Sequence, residues 1–247
     1  MVAEAENNRS NIPIFSDRVS VTAASDRNKV GRHQQETTPM LASTGGENPA
    51  SSDFFVVVLA ASAHGLDALT RVLSSLPADF PAAIAIVQHL SPDYPSLFAE
   101  ILNRRTRLQV QQAKQDCYLS PGTVLIAPPN YHLLVDSDGR VSLSQTEKVH
   151  FVRPSADILF ESAAMNYKER AIAVVLTGGD SDGSTGVQAI KKMGGKVIAQ
   201  DRETSKVWGM PAAAIATGCV DWVLPLDKIG EALTNLTLYG AIERNSG

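Results

Sequence analysis

Two patterns of apolar residues alternate along most of the chain. Nearly continuous apolar runs, such as residues 54–61, are followed by segments in which leucine and valine recur at helical spacing, as they do after Gly65. The runs predict buried β-strands, and the helical spacing predicts amphipathic helices packed against them. Repeated strand–helix pairs predict an α/β fold: a doubly wound, mostly parallel sheet with helices on both faces.

The same patterns set the bounds of the predicted elements. Strands are predicted at 54–60, 82–87, 123–127, 131–135, 140–143, 171–176, 196–199 and 220–223, and helices at 65–76, 95–104, 154–168, 184–193, 211–217 and 226–236. Turn sequences at 128–130 and 136–139 separate the third, fourth and fifth strands. Those three strands are therefore predicted to form an antiparallel hairpin or meander, inserted at the edge of the sheet or over one end.

Residues 1–53 are rich in Ser, Thr, Asn, Gln and charged side chains, and they show no sustained apolar period. Such a segment buries too little apolar surface to offset the entropy lost on ordering. A disordered tail is therefore predicted, followed by one folded domain over 54–240. Within the tail, Ser-Thr-Gly-Gly at 43–46 looks like a phosphate-binding loop, but no predicted strand precedes it and no helix follows.

Charge and cysteine content narrow the classes of partner. The net charge is −4 with no basic face, so nucleic acid is not expected as a partner. The two cysteines, Cys117 and Cys219, lie in dissimilar surroundings, which favours a reduced compartment over a disulfide framework. No apolar run approaches the roughly 18 residues of a membrane helix, and no signal-peptide pattern is evident. A cytoplasmic protein without membrane insertion is expected.

Cofactor motifs do not occur in the sequence. It has neither a Walker A pattern nor a G-x-G-x-x-G pattern, and its histidines are scattered without metal-ligand spacing. Neither a cofactor nor a metal is therefore expected.

Three residues able to perform chemistry follow three of the predicted strands. Ser62 follows the first strand, His89 the second, and Asp182 lies in the loop after the strand at 171–176. Because ligand sites in doubly wound sheets lie at the carboxyl ends of the strands, these side chains are expected to converge. A hydroxyl, an imidazole and a carboxylate suit acyl transfer through a serine nucleophile. The order Ser–His–Asp differs from that of the α/β-hydrolases, and Ala60 stands where their G-x-S-x-G elbow has glycine.

Each assignment has an alternative. Ser62 also suits a helix N-cap, where serine is favoured. His132 is a rival base, and Asp180 is a rival carboxylate because it lies near Asp182 and also precedes a predicted helix. A metal-dependent phosphoesterase built on Asp180, Asp182 and His89 is a further reading.

Six segments, in order along the chain, resemble the catalytic domain of the chemotaxis-receptor methylesterases, which are protein-glutamate methylesterases. They lie at 61–65, 87–92, 120–128, 153–160, 176–183 and 208–211. The resemblance implies that Ser62 is the nucleophile, His89 the general base and Asp182 its partner. It also implies hydrolysis of glutamate methyl esters on receptors with release of methanol, and many members of the family deamidate receptor glutamines as well.

Further residues are expected around the nucleophile. A helix N-terminus carries free N–H groups and partial positive charge, so N–H groups near Ala63 and Gly179 are candidates for an oxyanion hole. Met210 lies in the segment at 208–211, which either packs against the fold or, by the resemblance, forms a loop beside the substrate.

His64 departs from the family pattern, which usually has glycine at this position. A bulky side chain reduces the space beside the oxyanion, and a positive φ there would add strain. His64→Gly is therefore expected to raise turnover, whereas a substrate contact by His64 would give the opposite result. The departure keeps open a second hypothesis, a non-catalytic module that binds a receptor or signalling partner. The segment at 1–53 is also too short for the receiver domain that the usual chemotaxis enzyme carries.

Overall fold

The computed structural model describes residues 54–90 and 96–240. The predicted tail at 1–53, with its loop at 43–46, and the stretch 91–95 lie outside the described residues. The described strands are β1 (Phe55–Ala61), β2 (Ala82–Gln88), β3 (Gln109–Gln112), β4 (Thr123–Ile126), β5 (His132–Val135), β6 (Val141–Ser144), β7 (Ala171–Val175), β8 (Lys196–Gln200) and β9 (Trp222–Leu224). The described α-helices are α1 (Gly65–Ser74), α2 (Phe98–Asn103), α3 (Ala156–Tyr167), α4 (Ser184–Lys192), α5 (Gly209–Ala216) and α6 (Leu226–Tyr239).

Seven of these strands form one parallel sheet. Its order is β3-β4-β2-β1-β7-β8-β9, while β5 and β6 pair separately as an antiparallel hairpin. Helices α3, α4 and α5 contribute to the core layer on one face, and α1, α2 and α6 contribute to the layer on the other. The predicted α/β fold, with a mostly parallel sheet and a hairpin insertion, is confirmed. Within the described ranges, no helix has both the length and the apolar character needed to cross a membrane.

Strand β1 shows how the sequence builds both core layers at once. Val56 and Val58 belong to one layer, while Val57 and Leu59 belong to the other, and all four side chains are fully buried. A strand that is buried on both faces appears in the sequence as a continuous apolar run rather than as an alternation. This explains the uninterrupted run that begins at Phe54.

One expectation about the short strands is wrong, and one short strand was not predicted. Strand β4 does not join the meander, because it pairs in parallel with β2 and β3 inside the main sheet. The sequence pattern also fails to predict β3. Its residues are Gln-Val-Gln-Gln, and only Val110 is buried. An edge strand with one inward residue gives neither an apolar run nor a clear alternation.

Strand β1 lies where the strand order reverses. The chain places β2 and β4 on one side of β1, and β7, β8 and β9 on the other. The register pairs Ala61 with Gln88 and Ala60 with Val175, so the carboxyl ends of β1, β2 and β7 lie side by side. Doubly wound sheets bind ligands in the crevice at this switch point. The fold therefore brings together the residues that follow these three strands.

Candidate active site

Ser62 directly follows β1 and its backbone is held from both sides. Its N–H donates to the carbonyl of Thr177 (2.9 Å), and its carbonyl accepts from the Gly65 N–H (2.9 Å) and the Gln88 side-chain amide (2.8 Å). The residue is half-buried, and its hydroxyl makes no hydrogen bond to any residue that the structure describes. The main chain is thus fixed, while the hydroxyl stays available to a substrate.

The helix-cap alternative for Ser62 does not match the turn. The N-cap position of α1 is occupied by His64, whose φ of 62° and ψ of 15° place it in the left-handed region. Gly65 starts the helix against the Gln88 side chain, where an added Cβ would lie 1.9 Å from Gln88 Oε1. Ser62 therefore stands before the cap, at the end of the strand.

The imidazole of His89 lies between two carboxylates. Its Nε2 is 2.8 Å from Asp182 Oδ2, and its Nδ1 is 3.1 Å from Asp180 Oδ2. The His89 side chain is 11% exposed, that of Asp182 is fully buried, and that of Asp180 is 35% exposed. Burial alone lowers the pKa of His89, but the hydrogen bonds and charges of both aspartates outweigh it and raise the pKa to about 9.

Asp182 is anchored by the N-terminus of α3, not by the helix that follows it in the sequence. Its carboxylate accepts hydrogen bonds from the Ser155 hydroxyl (2.6 Å) and from the N–H groups of Ala156 (2.5 Å) and Asp157 (3.2 Å). Burial favours the neutral acid, but these hydrogen bonds, together with that of His89 and its charge, lower the pKa of Asp182. The group therefore stays ionised beneath the imidazole.

His132, the rival base, is part of a buried supporting network. Ser155, His132 and Asp182 form one linked arrangement, in which the Ser155 N–H donates to His132 Nδ1 at 3.1 Å. His132 Nε2 is 3.0 Å from the carbonyl oxygen of Glu147 and donates to it. Because Ser155 and His132 are both 0% exposed, this arrangement fixes the loop under Asp182 and presents no hydroxyl to a ligand.

The backbone beside Ser62 offers unused hydrogen-bond donors. The N–H groups of Ala63 and Gly179 donate to no residue in the described part of the chain. Both residues are exposed, on the two loops that meet at the carboxyl ends of β1 and β7. Met210 is 1% exposed and packs beneath Gly178, where an added Cβ would lie 2.0 Å from the sulfur. Met210 therefore braces this loop from below rather than facing a substrate.

His64 has the left-handed conformation that was considered as a source of strain, so we expect His64→Gly to relieve strain. The left-handed conformation costs an L-residue roughly 1–2 kcal/mol, which glycine avoids, and the greater entropy of glycine in the unfolded chain offsets part of that gain. We expect relief of the strain to raise stability, and we expect removal of the exposed imidazole beside the nucleophile to raise turnover, by up to about tenfold for each 1.4 kcal/mol. Thermal unfolding and initial rates measure the two effects.

His64→Ala is the matched control, because it removes the imidazole and keeps the Cβ that the left-handed backbone disfavours. Faster turnover in both variants, with greater stability only in His64→Gly, is the expected result. Slower turnover in both would instead make His64 a residue that contacts the substrate.

The phosphoesterase alternative has no ligand set within the described residues. Among the described residues, no group of three or more His, Cys, Asp or Glu side chains is arranged to hold a metal ion. Both ring nitrogens of His89 already face carboxylates.

Two residues that support this site were not predicted from the sequence. Ser155 holds Asp182, and Gln88 donates its amide to the carbonyls of Ser62 (2.8 Å) and His89 (3.0 Å). Both lie inside the motif segments quoted above. The signal that could have identified them is their position as polar residues within these segments, because the segments hold more functional residues than the catalytic candidates alone.

The fold and the site together define a class. At its switch point the parallel sheet presents a serine hydroxyl and N–H groups that make no hydrogen bond to the described residues, together with an imidazole paired with a buried carboxylate. These are features of a serine-hydrolase site. A sequence model of the CheB methylesterase family matches residues 57–233. The chain therefore belongs to the CheB methylesterase family.

Individual relatives agree with this membership. A putative protein-glutamate methylesterase/protein-glutamine glutaminase of Leptospira interrogans is 39% identical over 184 residues, covering 74% of this chain and 95% of that protein. The protein-glutamate methylesterase FrzG of Myxococcus xanthus is 43% identical over 178 residues, covering 72% and 53%. The chain thus spans about half the length of FrzG and of several other curated relatives.

A solved structure shows the same fold. The crystal structure of the CheB methylesterase catalytic domain of Thermotoga maritima matches with a TM-score of 0.72 at 39% sequence identity. The match covers 74% of this chain and 98% of that domain.

Proposed function

We propose that this chain is a cytoplasmic protein-glutamate methylesterase that acts on the methylated glutamate side chains of chemotaxis-type receptors and also deamidates receptor glutamines. Family membership and the named activities of the relatives support the reaction class. The observation that carries the proposal is the 2.8 Å contact between His89 and the buried Asp182, formed at the end of the sheet where the Ser62 hydroxyl makes no hydrogen bond to a described residue.

In the first half of the reaction, His89 takes the proton of the Ser62 hydroxyl as the serine oxygen attacks the ester carbonyl carbon. The negative charge that develops on the carbonyl oxygen is stabilised by the N–H groups of Ala63 and Gly179. Asp182 fixes the orientation of the imidazole and stabilises the imidazolium that forms. The C–O bond to the methoxy group then breaks, and His89 returns the proton so that methanol leaves.

In the second half, water hydrolyses the glutamyl ester formed on Ser62. His89 removes a proton from the water, the oxygen attacks the acyl carbon, and the bond to Ser62 breaks with protonation of the serine oxygen. A glutamate carboxylate is the product. A glutamine side chain gives the same acyl-enzyme, with ammonia as the leaving group instead of methanol.

The surroundings of His89 suit a protein substrate. The pocket beside the imidazole is lined by residues that include Lys148, Phe151 and Arg153. Phe151 is 94% exposed and has a φ of 66° at the tip of a turn closed by hydrogen bonds between Val149 and Val152. An exposed aromatic ring beside two cationic side chains fits the apolar and acidic surface of a receptor segment that carries glutamates.

Methanol release from a receptor carrying isotopically labelled methyl esters tests the proposal, with ammonia release from the unmethylated receptor testing deamidation. We expect methanol release that survives a metal chelator and is abolished by a serine-directed inhibitor. Binding of the receptor without any release above the uncatalysed rate would favour the non-catalytic module.

A further inference from the structure

Both ring nitrogens of His89 are occupied in this structure. Nε2 faces Asp182 at 2.8 Å, and Nδ1 faces Asp180 at 3.1 Å. A carboxylate contact at each nitrogen favours the imidazolium, in which both nitrogens carry protons and no lone pair remains. A general base needs one unprotonated nitrogen that faces the proton it removes. The described state of His89 therefore differs from the state that can activate Ser62.

We propose that Asp180 is a positioning residue that holds His89 in a protonated, resting state and must release Nδ1 before the imidazole can serve Ser62. This inference rests on the function proposed above. It assigns the two aspartates opposite effects on catalysis. Asp182 orients the imidazole for its role as a base, whereas Asp180 opposes formation of the unprotonated imidazole.

The hydrogen bonds and burial of the two carboxylates explain which one can move away from His89. Asp182 is fully buried and accepts three hydrogen bonds from Ser155 and the start of α3, in addition to its contact with His89. Asp180 is 35% exposed and, among the described residues, accepts apart from the His89 contact only the N–H of Asp182, at 3.0 Å through the other oxygen. A rotation of the Asp180 side chain toward solvent frees Nδ1 and leaves the His89–Asp182 pair intact.

The other charges that face His89 do not replace Asp180. Lys148 and Arg153 line the same pocket from the segment after β6. The Arg153 guanidinium bonds to the neutral oxygens of Asn130, Gln145 and Thr146, so its charge meets no carboxylate there. Among the described residues, Asp180 and Asp182 are the groups whose hydrogen bonds and charges raise the pKa of His89 and so stabilise its imidazolium. A substrate that excludes water or displaces Asp180 would shift the equilibrium of His89 from the imidazolium toward the neutral imidazole.

Asp180→Asn tests the inference, because the amide oxygen can still accept the Asp182 N–H while the negative charge at Nδ1 is lost. NMR titration of the isotopically labelled chain follows the imidazole directly, with the His89 resonance identified by its disappearance in His89→Gln. We expect the titration midpoint to fall from about 9 toward the ordinary value near 6.5. We expect the acid limb of kcat/KM to fall by the same amount, so that activity at pH 7 rises about tenfold for each unit by which the pKa falls, as long as the pKa remains above 7.

Asp67→Asn is the matched control, because it removes an exposed carboxylate from the first turn of α1 without a contact to His89. It should leave both the midpoint and the limb unchanged. An unchanged His89 midpoint in Asp180→Asn would overturn the inference, and so would a lowered midpoint with reduced activity at pH 7. The titration needs no substrate, so it tests the effect of Asp180 on His89 independently of catalysis. If the wild-type chain releases no methanol, the proposed function is rejected, and the titration still tests the effect of Asp180.

Discussion

Ser62→Ala is expected to reduce turnover by roughly 10⁴–10⁶-fold, because it removes the nucleophile on which the covalent route depends. The fold should survive, since the Ser62 hydroxyl bonds to no residue that the structure describes and the backbone contacts do not involve it. Because Ser62 is half-buried and the substitution breaks no hydrogen bond to a described residue, we expect stability to change by no more than about 0.5 kcal/mol. Labelled methanol release and thermal unfolding, measured on the same preparations, check both statements.

Ser181→Ala provides a matched control for that variant. Ser181 is exposed in the loop between the two aspartates, and its main-chain carbonyl, which the substitution keeps, bonds to the N–H of Ser184. We expect Ser181→Ala to retain wild-type activity. Substantial activity in Ser62→Ala would end the serine-nucleophile mechanism, whereas equal losses in both variants would point to a general disturbance of the site.

The placement of the three candidate residues at the carboxyl ends of neighbouring strands was predictable because it depends on local signals. Each of Ser62 and His89 follows an apolar run, and Asp182 lies in the loop after another. Parallel strands place their carboxyl ends at one edge whatever the details of packing. The prediction of the α/β fold depended on the same argument and is confirmed. The predicted bounds of individual strands differ from the observed ones by one or two residues.

The environment of these residues was not predictable, because it depends on contacts distant in sequence. Nothing near Asp182 indicates that its carboxylate will be held by the start of α3, 26 residues earlier. The position of Asp180, two residues before Asp182, likewise does not reveal that the two carboxylates occupy opposite nitrogens of one ring. The prediction of the strand that pairs with β4 was wrong for a related reason. Turn sequences indicate where the chain reverses, but they do not determine which strand becomes the partner.

Asp182→Asn is expected to lower turnover by up to roughly 10⁴-fold while the overall structure is kept. An amide beside His89 Nε2 can donate to that nitrogen, which favours the tautomer with the proton on Nδ1 and leaves no lone pair toward Ser62. The imidazolium also loses its buried counter-charge. Single-turnover rates and substrate dissociation constants should show a loss in the chemical step with little change in binding.

The same variant should also be less stable, with a pH dependence that identifies the cause. The carboxylate of Asp182 accepts hydrogen bonds at the N-terminus of α3, where a negative charge is favourable. Since folding lowers the pKa of Asp182, its stabilisation is present above the unfolded pKa of about 3.9 and is lost as the pH falls through the folded value. The gap in unfolding free energy between wild type and Asp182→Asn should therefore narrow as the solution is acidified below about pH 4.

Ser155→Ala separates the structural part of this effect from the catalytic part. It removes one hydrogen bond from the Asp182 carboxylate, at a cost of about 1–3 kcal/mol, but it keeps the charge beside His89. We expect a stability loss in both variants and a large fall in turnover only in Asp182→Asn. If Ser155→Ala loses as much activity as Asp182→Asn, the precise placement of the carboxylate, rather than its charge, controls the imidazole.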